Sequence, residues 1–491
     1  MAEKNVKGLI SHLTDYDIPF KCPESPDWDK HCTPYNLRLP VVPTIVVFPT
    51  ATDHICKAVS LASRWGIKVQ ARSGGHSYGS YSNCGMVVNL KNFQSICVDY
   101  KKAGTAMVLR VCVDGGVRLG NLAHAIIDYP YSESWDHRLG KDLALPHGTC
   151  AGVGVGGHIT HGGFGFFSRA WGLAMDRVVA MDVITADGAC VAVNKADNRD
   201  LFYAMRGAGD SFGIVKTFHL EPVSAPESVL CWEMKINGAT DTVKSAVKTF
   251  EHIQTVIHNG TLVDGRLGLN VNVTATFMGL SGTYLGDRLR FDMIIAALAA
   301  GFQDQPEINI KELGWLEAVK YLNQDRDIVL PADHKEHSNF FAKSVVAPAP
   351  GYTTESLTDF FTYLFANGKP APISHYILID LYGGAGSAIS QQDMYHSPFG
   401  HRDATWIAQI QGVVDNDQEF PQEGLDFVNG LANAMTARLP RSGAYSNYLD
   451  PSLSREEANR LYYGEKIYEI LKFLKKKWDP KNVFANPQSI E

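Results

Sequence analysis

Apolar and polar positions divide this chain into two halves of different texture. Residues 1 to about 40 read as a helix followed by an irregular, proline-punctuated segment. The run Val41-Val42-Pro43-Thr44-Ile45-Val46-Val47-Phe48-Pro49 then predicts a buried strand. Residues 52–65 predict an amphipathic helix, with Thr52 as its cap, Ile55, Val59 and Ala62 on one face, and Gly66 at its end. A second strand over 67–71 completes a β-α-β unit, which places a ligand loop at the carboxyl end of a strand. Further strands are expected at 87–90 and 107–113 and a helix at 119–127. A hairpin over 178–193 turns about Asp187-Gly188. Beyond residue 222 the texture changes. Strands at 267–276, 375–381 and 405–412 mix with long helices at 242–257, 284–298, 354–366 and 423–439, the pattern of an antiparallel sheet with helices to one side. A last helix, from Ser454 with its Ser-x-x-Glu box to Lys477, stops at Trp478-Asp479-Pro480.

Two glycine-dense loops interrupt the first half. One is Pro146-His147-Gly148-Thr149-Cys150-Ala151-Gly152-Val153-Gly154-Val155-Gly156-Gly157-His158. So many glycines let the backbone lie against a large flat ligand and aim N–H groups at a phosphate. The register Gly152-x-Gly154-x-x-Gly157, with Asp176 downstream, matches a dinucleotide fingerprint. The context does not: the preceding stretch is short and broken by Pro146, and glycines continue to Gly162, Gly163 and Gly165, where an amphipathic helix is expected to fail. The other loop, Ala71-Arg72-Ser73-Gly74-Gly75-His76-Ser77-Tyr78-Gly79, follows a strand and carries a central histidine. A third, Arg206-Gly207-Ala208-Gly209-Asp210-Ser211-Phe212-Gly213-Ile214-Val215, feeds a strand. A single buried cysteine is ordinarily an inert small hydrophobe and a single histidine among glycines is ordinarily just hydrogen-bonded. The pairing of the two loops, in order and each with its nucleophile, is what points to chemistry.

Together the motifs R-S-G-G-H-S and H-G-T-C-x-x-V-G-V-G-G-H resemble the flavin-binding signatures of the vanillyl-alcohol oxidase/berberine-bridge superfamily, and most closely its branch with doubly attached FAD, which includes the oligosaccharide oxidases. The resemblance implies an α+β, two-domain FAD-binding (PCMH-type) fold with an antiparallel-sheet substrate domain. It divides the chain into an FAD-binding domain over 1–221, a substrate-binding domain over 222–453 and a C-terminal segment over 454–491 returning to the first. It implies FAD bonded through its 8α-methyl to His76 and through C6 to Cys150. Arg72, Ser73, Gly74, Gly75, Ser77, Tyr78, His147, Gly148, Thr149, Val153, Gly154, Gly156, Gly157, His158, Gly213, Ile214 and Val215 complete the expected cofactor site. Within the family, valine at the position of Val153 goes with oxygen reactivity, so the resemblance implies an oxidase rather than a dehydrogenase. His161 stands where the family has glycine.

Flavin oxidation of an alcohol needs a base for the hydroxyl proton while hydride leaves for flavin N5. In the oligosaccharide oxidases a tyrosine of a Y-x-N-Y-x-D segment fills that role. Tyr445-Ser446-Asn447-Tyr448-Leu449-Asp450 matches, with Tyr448 as base, and Ser374 to Gly384 matches the strand that supplies its partner, Asp380. A free tyrosine titrates near pH 10, and the role assigned to Asp380 is to accept the phenolic proton through a hydrogen bond. If the Tyr445–Tyr448 segment is extended, the two tyrosines face opposite ways. Tyr78, Tyr376 and Gln409 are the expected substrate contacts, and the His401-Arg402-Asp403 run fits the family as well. Tyr376 replaces an indole platform, Leu378 a polar side chain and Gly268 a carboxylate expected for sugar hydroxyls.

Composition narrows the rest. Hydrophobic content of 45% with 20% charged residues describes an ordinary globular chain, and 491 residues exceed a single core. A net charge of -7 argues against nucleic acid or an anionic membrane as partner. The expected partners are a small hydroxylated substrate and O2, acting on a monomer without metal. Nine cysteines without short regular spacing give no zinc site or disulfide framework. Secreted relatives of the resembled family often carry an N-terminal disulfide, and His12 and Leu61 stand at its two positions. The N-terminus lacks the apolar core of a secretory signal. Location is left open between an intracellular protein and one whose signal has been removed, since the sequons at Asn259 and Asn272 fit secretion.

Three functions fit this reading: an oxidase producing hydrogen peroxide from a sugar-like alcohol, an oxidase tailoring a less polar natural product by dehydrogenation or cyclisation, and a catalytically silent flavin carrier.

Overall fold

A computed structural model of the chain describes residues 2–80, 85–103, 106–127 and 142–491. Residues 128–142, whose polar and aromatic composition reads as an insertion beside the cysteine loop, lie outside them except for Asp142. The apolar run at 41–49 forms the strand Ile45–Val47, fully buried, and the helix Thr52–Trp65 follows it. Ala51 rather than Thr52 occupies the cap position, and Gly66 closes the helix at φ +67°. The strand Val69–Arg72 is parallel to the first but not beside it: Met86–Asn89 inserts between them and pairs with both. A five-stranded antiparallel sheet follows, with Val178–Ile184 and Cys190–Asn194 joined at Gly188, φ +86°.

The second half is organised by one seven-stranded antiparallel sheet, in the order Glu307–Leu313, Val229–Lys235, Met278–Tyr284, Leu267–Val273, Ser374–Leu381, Ala404–Val414, Asn339–Pro348. Alternation along each strand separates two faces. Trp232, Leu269, Val271, Ile377, Ile379, Ala408 and Ile410 point to one side and form a core with the helices Val243–Ile257, Arg288–Ala299, Thr354–Asn367 and Gln422–Thr436. The intervening residues, among them Asn270, Leu378, Asp380 and Gln409, point to the other. The helix expected over 284–298 starts later. Tyr284 ends a strand, and Asp287, whose carboxylate accepts from the Arg290 N–H, caps a helix from Arg288.

The C-terminal helix Arg455–Trp478 begins with the expected box, Ser454 and Glu457 each serving the other's backbone N–H, and breaks at Gly464. Beyond it the chain crosses to the first sheet, where Phe484 bridges Val69. One buried ion pair fastens this crossing. Lys475 Nζ donates to Asp479 Oδ2 (2.7 Å), Ser211 O (2.6 Å) and Phe484 O (2.8 Å), while Asp479 also accepts from the N–H groups of Val483 and Phe484. Both side chains are buried, so removing one partner strands a charge. Lys475→Met is therefore expected to destabilise the protein by about 3–5 kcal/mol, seen as a fall in the thermal unfolding midpoint. An unchanged midpoint would show that the pair fastens nothing.

Candidate active site

The strand Val69–Arg72 delivers the histidine loop, which turns at Gly75 (φ +81°). Its partner, the cysteine loop, lies directly against it. A Cβ on Gly74 would fall 2.4 Å from Gly154 N, and one on Gly154 would fall 2.1 Å from Gly74 N and 2.2 Å from Ser73 Oγ. The N–H of Gly156 donates to Ser73 Oγ (3.3 Å). Gly74, Gly154 and Gly156 thus permit backbone to touch backbone, and Gly165 likewise lies against His147 O, whereas Gly152, Gly162 and Gly163 make room for side chains. Gly157 has open space beside it. A six-residue helix, Val155–Thr160, passes through Gly156 and Gly157 and ends before Gly162, Gly163 and Gly165. Asp176 takes no part in a nucleotide site: its carboxylate forms a two-pronged pair with Arg402 (2.6 and 2.8 Å).

Interlocking brings His76 and Cys150 together. Their ligand atoms and the Glu336 carboxylate all lie within 4.8 Å of one another. Cys150 keeps some exposed surface although surrounding protein desolvates its thiol, whereas His76 is largely covered, stacked on Tyr35 (4.6 Å). Burial holds the His76 imidazole neutral, lowering its pKa to about 4, and raises the Cys150 thiol. Around the pair, Arg118 pins both loops through the carbonyls of Gly152 and Gly74. The N–H of Gly148 donates to His158 Nε2 (3.1 Å), and His147 Nε2 is buried without a hydrogen-bond partner. The Arg72 guanidinium reaches the His31 carbonyl (2.6 Å), and Ser77 Oγ accepts from Ser80 N (3.2 Å). Val153 N closes a turn on Cys150 O, which leaves Thr149 in the same loop beside the nucleophile. Ile214 and Val215 open the strand Ile214–Leu220 of the five-stranded sheet and are buried in the core, while Gly213 just before them lies close against Val183. His161 fills its glycine's place by pairing with Asp210 (3.3 Å) of the third loop. Burial alone would discharge it, yet Asp210 prevails and raises its pKa.

A chain of rings leads from the nucleophiles to the polar sheet face: Tyr35 meets Phe340 (5.6 Å), Phe340 meets Tyr78 (4.8 Å), and Tyr78 stacks on Tyr448 (5.9 Å). Tyr78 accepts a hydrogen bond from Gln409 Nε2 (2.5 Å), which also donates to Gln411 (3.0 Å). Leu378 stands opposite Gln409 and Tyr376 opposite Gln411, so Tyr376, Leu378, Asp380 and both glutamines share one face. The segment 445–448 is not extended. A single turn of 3-10 helix, Ser446–Tyr448, places Tyr445 and Tyr448 on the same side, ring to ring at 5.0 Å. Tyr445 is the structural one: its oxygen accepts from Gly163 N (2.8 Å), Phe164 N (3.3 Å) and Asn447 Nδ2 (2.9 Å). Asp380 is buried and accepts from Asn270 Nδ2 (2.8 Å). Burial raises its pKa to about 7 against that hydrogen bond, and burial followed by the Asp380 charge pushes Tyr448 well above its ordinary value.

Two sequence expectations are overturned here. Gly268 is no missing sugar contact, because a side chain there would meet Phe166 O at 2.3 Å. Its neighbour Asn270 serves the site instead. The His401-Arg402-Asp403 run faces structure, not substrate: His401 reaches Leu461 O, Arg402 pairs with Asp176 and Asp403 with Arg441. Asn270 and Gln411 carried a signal that was missed, since both are polar residues inside apolar strands. Glu336, in the loop before Asn339, carried none.

The loops match the FAD binding domain family over residues 43–194, and residues 444–491 match the berberine and berberine-like family. A carbohydrate oxidase of Microdochium nivale is 33% identical, over 97% of this chain and 94% of its own. A xylooligosaccharide oxidase of Thermothelomyces thermophilus is 32% identical, over 98% and 93%. This chain belongs to the FAD-linked oxidases of the vanillyl-alcohol oxidase/berberine-bridge superfamily. The structure of the glucooligosaccharide oxidase from Acremonium strictum, which carries a 6-S-cysteinyl, 8α-N1-histidyl FAD, superimposes with a TM-score of 0.89 at 29% identity over 98% of this chain and 99% of that one. The oxidoreductase binds FAD, and its loops fit that group: a thiol and a neutral imidazole stand side by side, with open space at Gly157.

Asp380 has one named hydrogen bond holding its pKa down, from Asn270. If its carboxylate form is the working one, the rate of flavin reduction rises as pH climbs through about 7. Asn270→Ala is then expected to move that limb to higher pH by about one unit, each unit corresponding to about 1.4 kcal/mol of lost carboxylate stabilisation. A limb that stays in place would separate Asp380 from the observed ionisation.

Proposed function

We propose that this protein oxidises a hemiacetal or secondary alcohol of a hydroxylated, oligosaccharide-like substrate, passing two electrons through FAD held by His76 and Cys150 to O2, with hydrogen peroxide as co-product. The observation that carries the reading is the meeting of two surfaces. The paired nucleophiles lie on one side, and Asp380, Tyr448, Tyr78 and Gln409 converge on the other, linked by the ring chain through Tyr35 and Phe340. When bound, FAD supplies the hydride acceptor. The protein's own residues handle the proton. Tyr448 takes it from the substrate hydroxyl; because burial and Asp380 both disfavour a free phenolate, its own proton passes on to the Asp380 carboxylate in the same step. Asn270 keeps that carboxylate oriented. Tyr78 and Gln409, already bonded to each other, present a phenol and an amide to the substrate, and Tyr376 a ring face. Val153, beside Cys150, is assigned the small gate that leaves oxygen a path.

Farther along the sheet, a cleft of about 600 Å³ is lined by polar and apolar side chains alike, Glu233, Lys235 and Asn272 beside Met234, Phe277 and Leu280, and does not by itself choose between substrates. The second reading, a tailoring oxidase for a less polar molecule, draws on Leu378 and Tyr376 in the middle of the same face. A peroxide assay across oligosaccharides and phenolic alcohols decides between them, and silence with all would favour a flavin carrier.

Two outcomes follow from the assignments. Acid-precipitated protein is expected to stay yellow. Single His76→Ala or Cys150→Ala variants should keep flavin through the remaining bond, and the double variant should release it; free FAD from the unaltered protein rules out double attachment. Tyr448→Phe removes one oxygen and is expected to slow anaerobic flavin reduction by a factor of about a hundred to ten thousand, with flavin content intact. Tyr445→Phe should chiefly loosen the Gly163–Phe164 turn. Normal reduction in Tyr448→Phe would remove the tyrosine from the proton path.

A further inference from the structure

Glu336 reaches the nucleophile pair from the other half of the molecule. It sits between the helix Trp315–Leu322 and the strand Asn339–Pro348 of the large sheet. Three contacts hold its segment against the N-terminal half of the chain. Arg118 Nη2 donates to His334 O (2.5 Å), the Leu37 N–H donates to Ser338 O (3.0 Å), and the His337 ring meets Pro34 O (2.8 Å). One carboxylate oxygen of Glu336 is engaged by His334 Nε2 (2.9 Å). The other faces His76 Nε2 at 3.8 Å, longer than a hydrogen bond. That nitrogen is buried and has no hydrogen-bond partner, although only 10% of the His76 side chain is exposed. Gly152 completes the arrangement, for a Cβ there would lie 3.2 Å from both Glu336 Oε1 and His76 Nε2. A carboxylate half-used by His334 therefore aims its free oxygen at an orphaned ring nitrogen. A pairing with His334 alone would account for the first oxygen and not for the second.

Resting on the reading that His76 bonds the flavin, we infer that Glu336 is the positioning residue for that bond: it holds the imidazole proton on Nε2, so that Nδ1 presents the lone pair that attacks the 8α-carbon. In the step, the 8α-methyl gives up one proton, Nδ1 forms the C–N bond, and the electron pair released enters the isoalloxazine ring, which is left reduced by two electrons. Molecular oxygen reoxidises it and becomes hydrogen peroxide. The alkylated imidazole is cationic while Nε2 keeps its proton, and the facing carboxylate stabilises that charge before the proton leaves through it. Burial works against the charge on Glu336, but the hydrogen bond from His334 and the Arg118 charge outweigh it and keep its carboxyl below the usual range.

The test uses the Cys150→Ala protein, in which His76 carries the only bond, with Glu336→Gln and Glu336→Asp added in turn. Total flavin is read from the absorbance of the folded protein, and attached flavin from the acid pellet at intervals after adding FAD. In the Gln variant, total flavin should match the parent while attachment slows by about a hundredfold or more. The Asp variant, which keeps the charge one carbon farther back, should recover part of that rate. Attachment at the parental rate in the Gln variant overturns the inference. Loss of total flavin in step with attachment, alike for Gln and Asp, overturns it too, by reducing Glu336 to a packing role. If Cys150→Ala alone releases its flavin in acid, the attachment to His76 fails, and the inference with it.

Discussion

The structure depends on two backbones being able to touch. Gly74 and Gly154 lie so close that a single carbon on either would overlap the other's amide, and that closeness sets the distance between the two loops that follow. A methyl group at either position would push His76 and Cys150 apart, and a bond of fixed length cannot follow them. Ser73 and Arg118 tighten the same junction, one by accepting from Gly156 N and the other by gathering the carbonyls of Gly74 and Gly152. The glycines of these loops therefore serve mainly to fit protein to protein, and the open space at Gly157 is what remains for a ligand.

A second constraint comes from the sheet. Helices cover one face and leave the other with Asn270, Asp380, Gln409 and Gln411, polar groups that are nonetheless buried. Burying them needs the FAD-binding half to close over them, and buried arginines hold that closure. Arg169 crosses from one half to the other and spends its donors on the carbonyls of Asp264, Leu267, Gly383 and Ala385, while Arg402 returns the contact through Asp176. Desolvation inside this closure is the main reason Asp380 titrates near neutrality and Tyr448 resists ionisation. Fold stability and proton chemistry thus draw on the same enclosed interface.

The sequence by itself determined the elements whose cause is local. The helix Thr52–Trp65 and its glycine stop, the Asp187-Gly188 hairpin, the capping box at Ser454 and the histidine and cysteine loops all rest on residues a few positions apart, so short-range sterics and periodicity suffice. So did the family, because its motifs are contiguous. The tertiary structure decided what depends on residues far apart. It inserted Met86–Asn89 between two strands that look consecutive, closed Gly268 with the Phe166 carbonyl, and turned His401 to Asp403 toward the scaffold. It wound 446–448 into one turn, so that Tyr445 and Tyr448 share a side instead of alternating. It also carried Glu336 some 260 positions along the chain to the His76 ring. No period or spacing encodes such a contact, because it is fixed by the packing of one domain on another, where burial and unpaired polar atoms select the partners.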